Sequence, residues 1–417
     1  MFIIINKIVI FVSVLINIII MDTILELSKN LISSVKLDFK RYLLKNIPEN
    51  QRLVFIKGAR GSGKTTLLLQ YLKGINDPKD RVAFLSLDDI IYTQQNVIDF
   101  VDWFYKRGGE LIVLDEVHKY PEWSRTIKTI YDRYPNLKII VTCSSALQLG
   151  KGDADLSRRS ISLHLNELSL REFIEIKYGI SFPVYSLNDI ITKQDEISSL
   201  VLKKIKPLQA FDQYLKFGAY PFSLEGEGYY YQKLSNVVNL VLETDLPAID
   251  NITFGTVVKL RKLLYVLAEI VPFTPNISEL SDKVGVTREQ LYRFLYLLEK
   301  AEIVYMLRKH AKGMSMMAKP EKIYLHNPNL AEALTHSKTN TGTLRETFFI
   351  NQLSSNYEVN YSSQGDFLIN NQYVFEIGGR NKGKKQIKDA ENSYLVKDGI
   401  EHGTGEIVPL WLFGFLY

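Results

Sequence analysis

Apolar positions fall into four regimes along the chain. Residues 1–20, MFIIINKIVIFVSVLINIII, are almost wholly apolar, with Lys7 inside the run. From Arg52 to about Phe173, short apolar runs of strand length alternate with stretches of helical periodicity. The runs are Leu53–Ile56, Arg81–Asp89, Glu110–Tyr120 and Leu137–Leu147, with a fifth, alternating one after Arg159. Such βαβ alternation predicts a parallel sheet covered by helices. From about Val184 to Pro272 the pattern is helical with few breakers. Beyond it, Ser278–Lys309 predicts a short helix ending at Gly285, a second helix capped by Thr287, and a strand pair around a Gly313-containing wing. Gln364–Gly379 predicts a β-hairpin with Asn370-Asn371 as its turn.

The first regime has two readings. Its length matches the apolar core of a bilayer, so it would serve as a membrane anchor. It makes a poor secretory signal, because no small-residue cleavage site follows. Nine of the twenty residues are Ile, as AT-rich DNA upstream of a start codon would encode if read in frame. Met21 opens an ordinary amphipathic lead-in, and a true start there is the preferred reading. The protein is then expected in the cytoplasm, with a membrane partner only if residues 1–20 belong to it.

At 417 residues the chain is too long for one ordinary domain. A single cysteine, Cys143, excludes a disulfide-stapled scaffold, and the absence of a Cys/His cluster argues against structural zinc. A net charge of +5 permits a nucleic-acid partner without requiring one.

The chemistry is concentrated after the first strand. Gly58-Ala59-Arg60-Gly61-Ser62-Gly63-Lys64-Thr65 fits GxxxxGK[ST], and a helical pattern starting with Lys64, Thr65 and Thr66 follows at once. The glycines let successive N–H groups converge on a phosphate chain, and the helix adds its positive end. Lys64 is expected on the β- and γ-phosphates of ATP, and the Thr65 hydroxyl on Mg2+. An apolar run ending in Asp115-Glu116 supplies the second half. Asp115 would hold Mg2+ opposite Thr65, and Glu116 would polarise the attacking water. A strand between the two motifs, with Glu after Asp, points to an additional-strand P-loop ATPase. Thr142, Ser144 or Ser145 would reach the γ-phosphate from the fourth strand, with Ser144 carried forward as the candidate. Arg158 or Arg159 would stabilise transition-state charge, with Arg159 carried forward; the alternative is a surface loop with ordinary ion pairs. His118 is expected to be structural.

The strings KGARGSGKTT, LDEVHKYPEW, IIVTCSSALQL and RR…LHLNELSLREF together resemble a family of bacterial and archaeal AAA-like ATPases whose members continue into a C-terminal domain of unknown function. The resemblance continues through FGAYPFSLEG, YYYQKLSNVVNLVLETDLPAI and KPEKIYLHNPNLAEAL, and so covers nearly everything after Met21. Ala219, Arg158 and Cys143 depart from the family pattern, and only Cys143 touches the presumed nucleotide site. The resemblance implies ATP binding and supplies no substrate.

Two later segments suggest further chemistry. If the helix pair binds double-stranded DNA, Arg288, Gln290 and Arg293 would face the groove; alternatively it packs as an internal lid. In the last segment Asp366 and Glu376 lie on the two hairpin strands, near a helix that begins at Gly342–Glu346. Restriction-type nucleases hold a metal on such an Asp and a Glu-x-Lys. Here Gly378 takes the lysine position, with Lys382, Lys384 and Lys385 close behind. A degenerate nuclease-like fold used for binding is the first expectation.

The fold class expected is thus α/β: an additional-strand, AAA-like P-loop NTPase core with a parallel sheet at 21–180. A helical connector at 181–275, a winged helix at 276–335 and a small α/β restriction-endonuclease-like domain at 336–417 follow. The leading function is an Mg2+-dependent ATPase acting on DNA. The alternatives are a nucleotide-gated protein switch or scaffold, able to form a homo-oligomer, and an ATP-regulated nuclease.

Overall fold

The computed structural model describes residues 2–417 apart from 78, 94, 145–155, 249, 251, 271–273, 311–318 and 336–339. Its contacts divide the chain into two units. One comprises 1–58 and 63–165; the other comprises 166–417 together with Ala59–Ser62. Gly313, expected at the tip of the wing, lies outside the described residues.

The first unit is built on five parallel strands in the order β2-β3-β4-β1-β5. These are β1 (Leu53–Lys57), β2 (Val82–Ser86), β3 (Leu111–Asp115), β4 (Lys138–Thr142) and β5 (Ile161–His164). Val54, Ile56, Val113 and Ile140 are fully buried, as expected of strands covered on both faces. The sequence reading placed β2 between the two motifs; in space β2 is an edge strand, and β4 lies between β1 and β3. That order brings the end of β4 beside the acidic end of β3.

Helices α2 (Lys64–Ile75), α3 (Val97–Lys106) and α4 (Trp123–Arg133) connect these strands. Helix α1 runs unbroken from Phe2 to Ser34. Its second half is docked: Met21, Ile24 and Ser28 are buried at helical spacing, and the Phe84 N–H on the edge strand donates to Ser28 Oγ at 2.7 Å. Lys73 closes the end of α1 by donating to the carbonyls of Ser33 and Val35. By contrast, Phe11, Leu15, Ile16 and Ile19 are exposed. Among the described residues, Phe11–Ser34 is one helix long and apolar enough to cross a membrane, by length and composition alone.

The second unit opens with helices α5 (Leu170–Tyr178), α6 (Leu187–Thr192), α7 (Gln194–Leu202), α8 (Pro207–Phe217), α9 (Tyr230–Leu240) and α10 (Phe254–Ile270). A π-helical turn, Val241–Asp245, prolongs α9. Next come α11 (Ile277–Val284), ended by left-handed Gly285, and α12 (Arg288–Lys300), opened by a Thr287–Gln290 capping box. Strands β6 (Val304–Leu307) and β7 (Lys322–Leu325) pair antiparallel, and α13 (Asn329–Thr335) and α14 (Thr341–Leu353) follow. A second sheet has the order β12-β11-β10-β9-β8, with β8 (Val359–Tyr361), β9 (Phe367–Ile369), β10 (Tyr373–Gly378), β11 (Ser393–Lys397) and β12 (Ile407–Pro409). Asn370 and Asn371 both take positive φ at the β9–β10 turn. The sheet closes over α14, where Phe349 meets Phe367, Phe375 and Phe413 with ring centroids 4.8–5.2 Å apart.

A charged group lies at the heart of this unit. Glu167 is fully buried and accepts from Asn327 Nδ2 at 3.0 Å, and its Oε1 lies 2.8 Å from His326 Nδ1. Burial pushes the Glu167 carboxyl up, but the imidazolium beside it and its hydrogen bonds outweigh this and hold it down at about 2. Burial likewise pulls His326 down, but Glu167 carries it up to about 9. A carboxylate lowered from 4.5 stabilises the fold above that pH and loses its contribution as pH falls through about 2. A histidine raised from 6.5 stabilises fully below that pH and loses its contribution as pH rises through about 9. We therefore expect Tm to be flat between about pH 4.5 and 6.5 and to decline from there to about pH 9. In His326→Gln that alkaline decline should flatten, measured by calorimetry across the range.

Candidate functional site

β1 delivers the chain into Gly58–Thr65. Gly61 and Gly63 take φ of 84° and 95°, a left-handed backbone that side chains disfavour, so the loop curls back before α2 begins at Lys64. Helix α2 begins where the loop ends, and the start of a helix presents N–H groups that its own backbone cannot satisfy. Lys64 is buried, and its ammonium donates to the Gly58 carbonyl at 2.9 Å. Ser62 N–H donates to the Ala59 carbonyl at 3.2 Å and closes the crown of the loop. Thr66 points outward and is exposed.

Asp115, at the end of β3, is the centre of the site in the first unit. Thr65 Oγ1 donates to its Oδ2 at 2.8 Å, and the Thr142 hydroxyl donates to its Oδ1. Thr142 also accepts the Glu116 N–H at 2.9 Å. Burial pushes the Asp115 carboxyl up and the Glu116 charge adds to this, against the two hydroxyl donors. Glu116 sits at φ 52°, ψ 43°, a left-handed conformation that turns it sharply off the strand. Its Oε2 lies 3.4 Å from Nε2 of buried His118. A hydroxyl and a carboxylate side by side at a phosphate loop form the oxygen donor set that Mg2+ takes.

Of the residues singled out from sequence, Lys64, Thr65, Asp115 and Glu116 come together. On β4 the residue engaged with Asp115 is Thr142. Ser144, the candidate carried forward, is buried and its hydroxyl has no hydrogen-bond partner among the described residues. Ser145 lies outside those residues. Arg159 is not brought to the loop. It precedes β5, which runs parallel to β1, so it stands at the opposite end of the sheet, where it pairs with Asp132 at 3.3 Å. This matches the ion-pair alternative. The placement of Thr142 followed from strand order, which a linear reading lacks.

A model described as an AAA domain matches residues 50–174, and one described as a domain of unknown function matches 208–341. The chain carries an AAA-like P-loop domain. The AAA domain belongs to the nucleotide-binding class, and a domain of unknown function follows it. An uncharacterized protein of Methanocaldococcus jannaschii is 24% identical over 405 residues, covering 88% of this chain and 85% of its own. AMPPCP-bound DnaA from Aquifex aeolicus matches 62% of this chain and 84% of its own at 17% identity and a TM-score of 0.28. A replication initiator DnaA bound to AMPPCP and single-stranded DNA matches 66% and 88% at 16% identity and a TM-score of 0.31.

In the second unit, the expected DNA-facing residues Arg288, Gln290 and Arg293 are all exposed; Gln290 Oε1 accepts the Thr287 N–H in the capping box, and Arg293 is paired with Asp250, with Nε 2.8 Å from Oδ2. The nuclease-like residues gather with lysines among them. Lys322 Nζ lies 3.3 Å from Asp366 Oδ1 and 3.5 Å from Glu346 Oε2, and Lys382 Nζ lies 2.5 Å from Glu376 Oε1. Burial raises both Glu346 and Glu376, with Asp366 adding to each. Among the described residues, no group of three His, Cys, Asp or Glu side chains is arranged to hold a metal ion. The carboxylates that a nuclease would turn toward metal thus have ammonium groups against them.

Thr142→Val tests the Asp115 centre. It keeps the shape but leaves Asp115 Oδ1 and the Glu116 N–H without their partner. Global stability should fall by about 1–3 kcal/mol, read from urea unfolding at constant m-value.

Proposed function

We propose that the AAA domain hydrolyses ATP with Mg2+ held by Thr65 and Asp115. The observation that carries this reading is the Thr65–Asp115–Thr142 chain of hydrogen bonds at the mouth of the phosphate loop. Bound there, the metal would neutralise the β- and γ-phosphates. Lys64 exchanges the Gly58 carbonyl for phosphate oxygen, and the loop N–H groups bind the rest of the chain. Glu116 accepts the proton of the attacking water, and the Thr142 bond to its N–H fixes where its side chain departs from the strand. Steady-state turnover in Mg2+ should fall at least about 100-fold in Glu116→Gln with fluorescent-ATP binding retained. Lys64→Ala should lose binding itself. Turnover unchanged in Glu116→Gln would refute the assignment of the base.

A second reading, action on DNA, is supported by one exposed stripe on α12. Arg288, Tyr292 and Tyr296 are exposed at four-residue spacing, and half-buried Lys300 continues the row with its ammonium 5.7 Å from the Tyr296 ring centroid. Arg293, paired with Asp250, lies beside this row.

For the C-terminal sheet we infer a binding or structural role without strand cleavage. Lys322 and Lys382 neutralise the carboxylates that a nuclease would turn toward metal. Incubated with plasmid DNA and Mg2+ or Mn2+, the protein should leave it intact. Cleavage that disappears in Asp366→Ala would overturn this.

A further inference from the structure

Three stretches of the second unit, FGAYPF, LVLETDLPAI and LHNPNL, have no chemistry in the reading above. The structure brings the first two onto the crown of the phosphate loop, Ala59–Ser62, which groups with this unit by its contacts, while the third supports them. A Cβ on Gly61 would stand 3.2 Å from the Phe222 ring and 3.5 Å from that of Tyr220. Those two rings stack at 5.3 Å and form the floor on which the crown rests. Asn327 Nδ2 donates to the Tyr220 hydroxyl at 3.0 Å and to Glu167, fixing the floor from below. Asn329 uses all its capacity at the same place. It accepts from the Ala219 N–H and the Tyr230 hydroxyl and donates to the carbonyls of Tyr214 and Leu215.

The second stretch supplies a charge. Asp245, whose side chain is wholly buried, takes Arg60 Nη1 on its Oδ1 at 2.8 Å. It closes the π-helical turn Val241–Asp245, a widened turn of a kind that gathers at functional positions. Arg60 lies between the glycines of the loop, where the backbone has least resistance to collapse. A buried carboxylate holding its guanidinium fixes the one long side chain in that stretch.

We propose that Asp245 is a positioning residue for nucleotide binding: through Arg60 it holds the crown of the phosphate loop in the open shape that receives phosphates. This rests on the reading that Gly58–Thr65 binds ATP. The gain is preorganisation, since a loop already shaped does not spend binding energy on ordering itself. The pair joins the crown to a residue 185 positions along the chain.

The test is the affinity of the full chain for a fluorescent ATP analogue with Mg2+, followed by anisotropy. Arg60→Ala and Asp245→Ala should each weaken binding about tenfold or more, and the double variant should be no worse than the weaker single one, because both break one device. Arg60→Lys, which keeps the cation, should stay within about threefold of wild type. A structural lesion alone would not be rescued this way. The double variant leaves no unpaired buried charge and carries the comparison if either single variant fails to fold. Wild-type affinity in the double variant, or losses that simply add, would overturn the proposal while Lys64→Ala still abolishes binding. If the wild type itself binds no analogue, the nucleotide reading falls and the proposal with it.

Discussion

A carboxylate with no access to water has to be answered by its neighbours, and Glu167 is such a group. Removing a partner from a buried pair of this kind costs about 3–5 kcal/mol, so the positions of its partners are set narrowly. His326 and Asn327 are the direct ones, and Asn351 Nδ2 stands 3.5 Å from the second oxygen while donating to the His326 carbonyl. With His326 and Asn327 fixed, the next turn of chain places Asn329, and Asn329 in turn fixes the ends of the helices around Ala219 and Tyr230. The Tyr220 hydroxyl is caught in the same net. A polar network in a protein interior specifies one arrangement because each unmet donor is costly. Here that arrangement fixes Tyr220, on whose ring Phe222 stacks under the Gly61 turn.

The parts of this molecule that sequence discloses are those whose cause is local. Strand, glycine loop and helix follow one another within Leu53–Ile75, so spacing alone identifies the loop and its Lys64 and Thr65. Asp115-Glu116 was readable because an apolar strand ends on it. The Gly285 stop and the Thr287 cap were equally local. What could not be read depends on which strands become neighbours. β4 is fourth in sequence but lies between β1 and β3, and the register of Leu114 with Val141 sets Thr142 level with Asp115. β5 parallel to β1 carries Arg159 to the end of the sheet opposite its own phosphate loop. The Arg60–Asp245 and Arg293–Asp250 pairs join segments whose separation no periodicity records.

The two acidic centres of the chain show how position decides what a carboxylate does. Among the described residues the Asp115 carboxylate accepts from the Thr65 and Thr142 hydroxyls, which can stay as co-ligands when a cation arrives, since each keeps an oxygen lone pair. Glu376 and Asp366 are met by ammonium groups, which have no lone pair and must leave before any cation could enter. The backbone supports this second arrangement. A Cβ on Gly378 would stand 2.4 Å from the Cβ and Cγ of Lys382, so the glycine is what lets that lysine fold back over the strand onto Glu376. The absence of lysine at position 378 and the presence of Lys382 are therefore one substitution in space, in which the cation is kept and the room beside the carboxylate is filled. The first centre keeps hydroxyl oxygens beside its carboxylate, and the second keeps ammonium groups against its own.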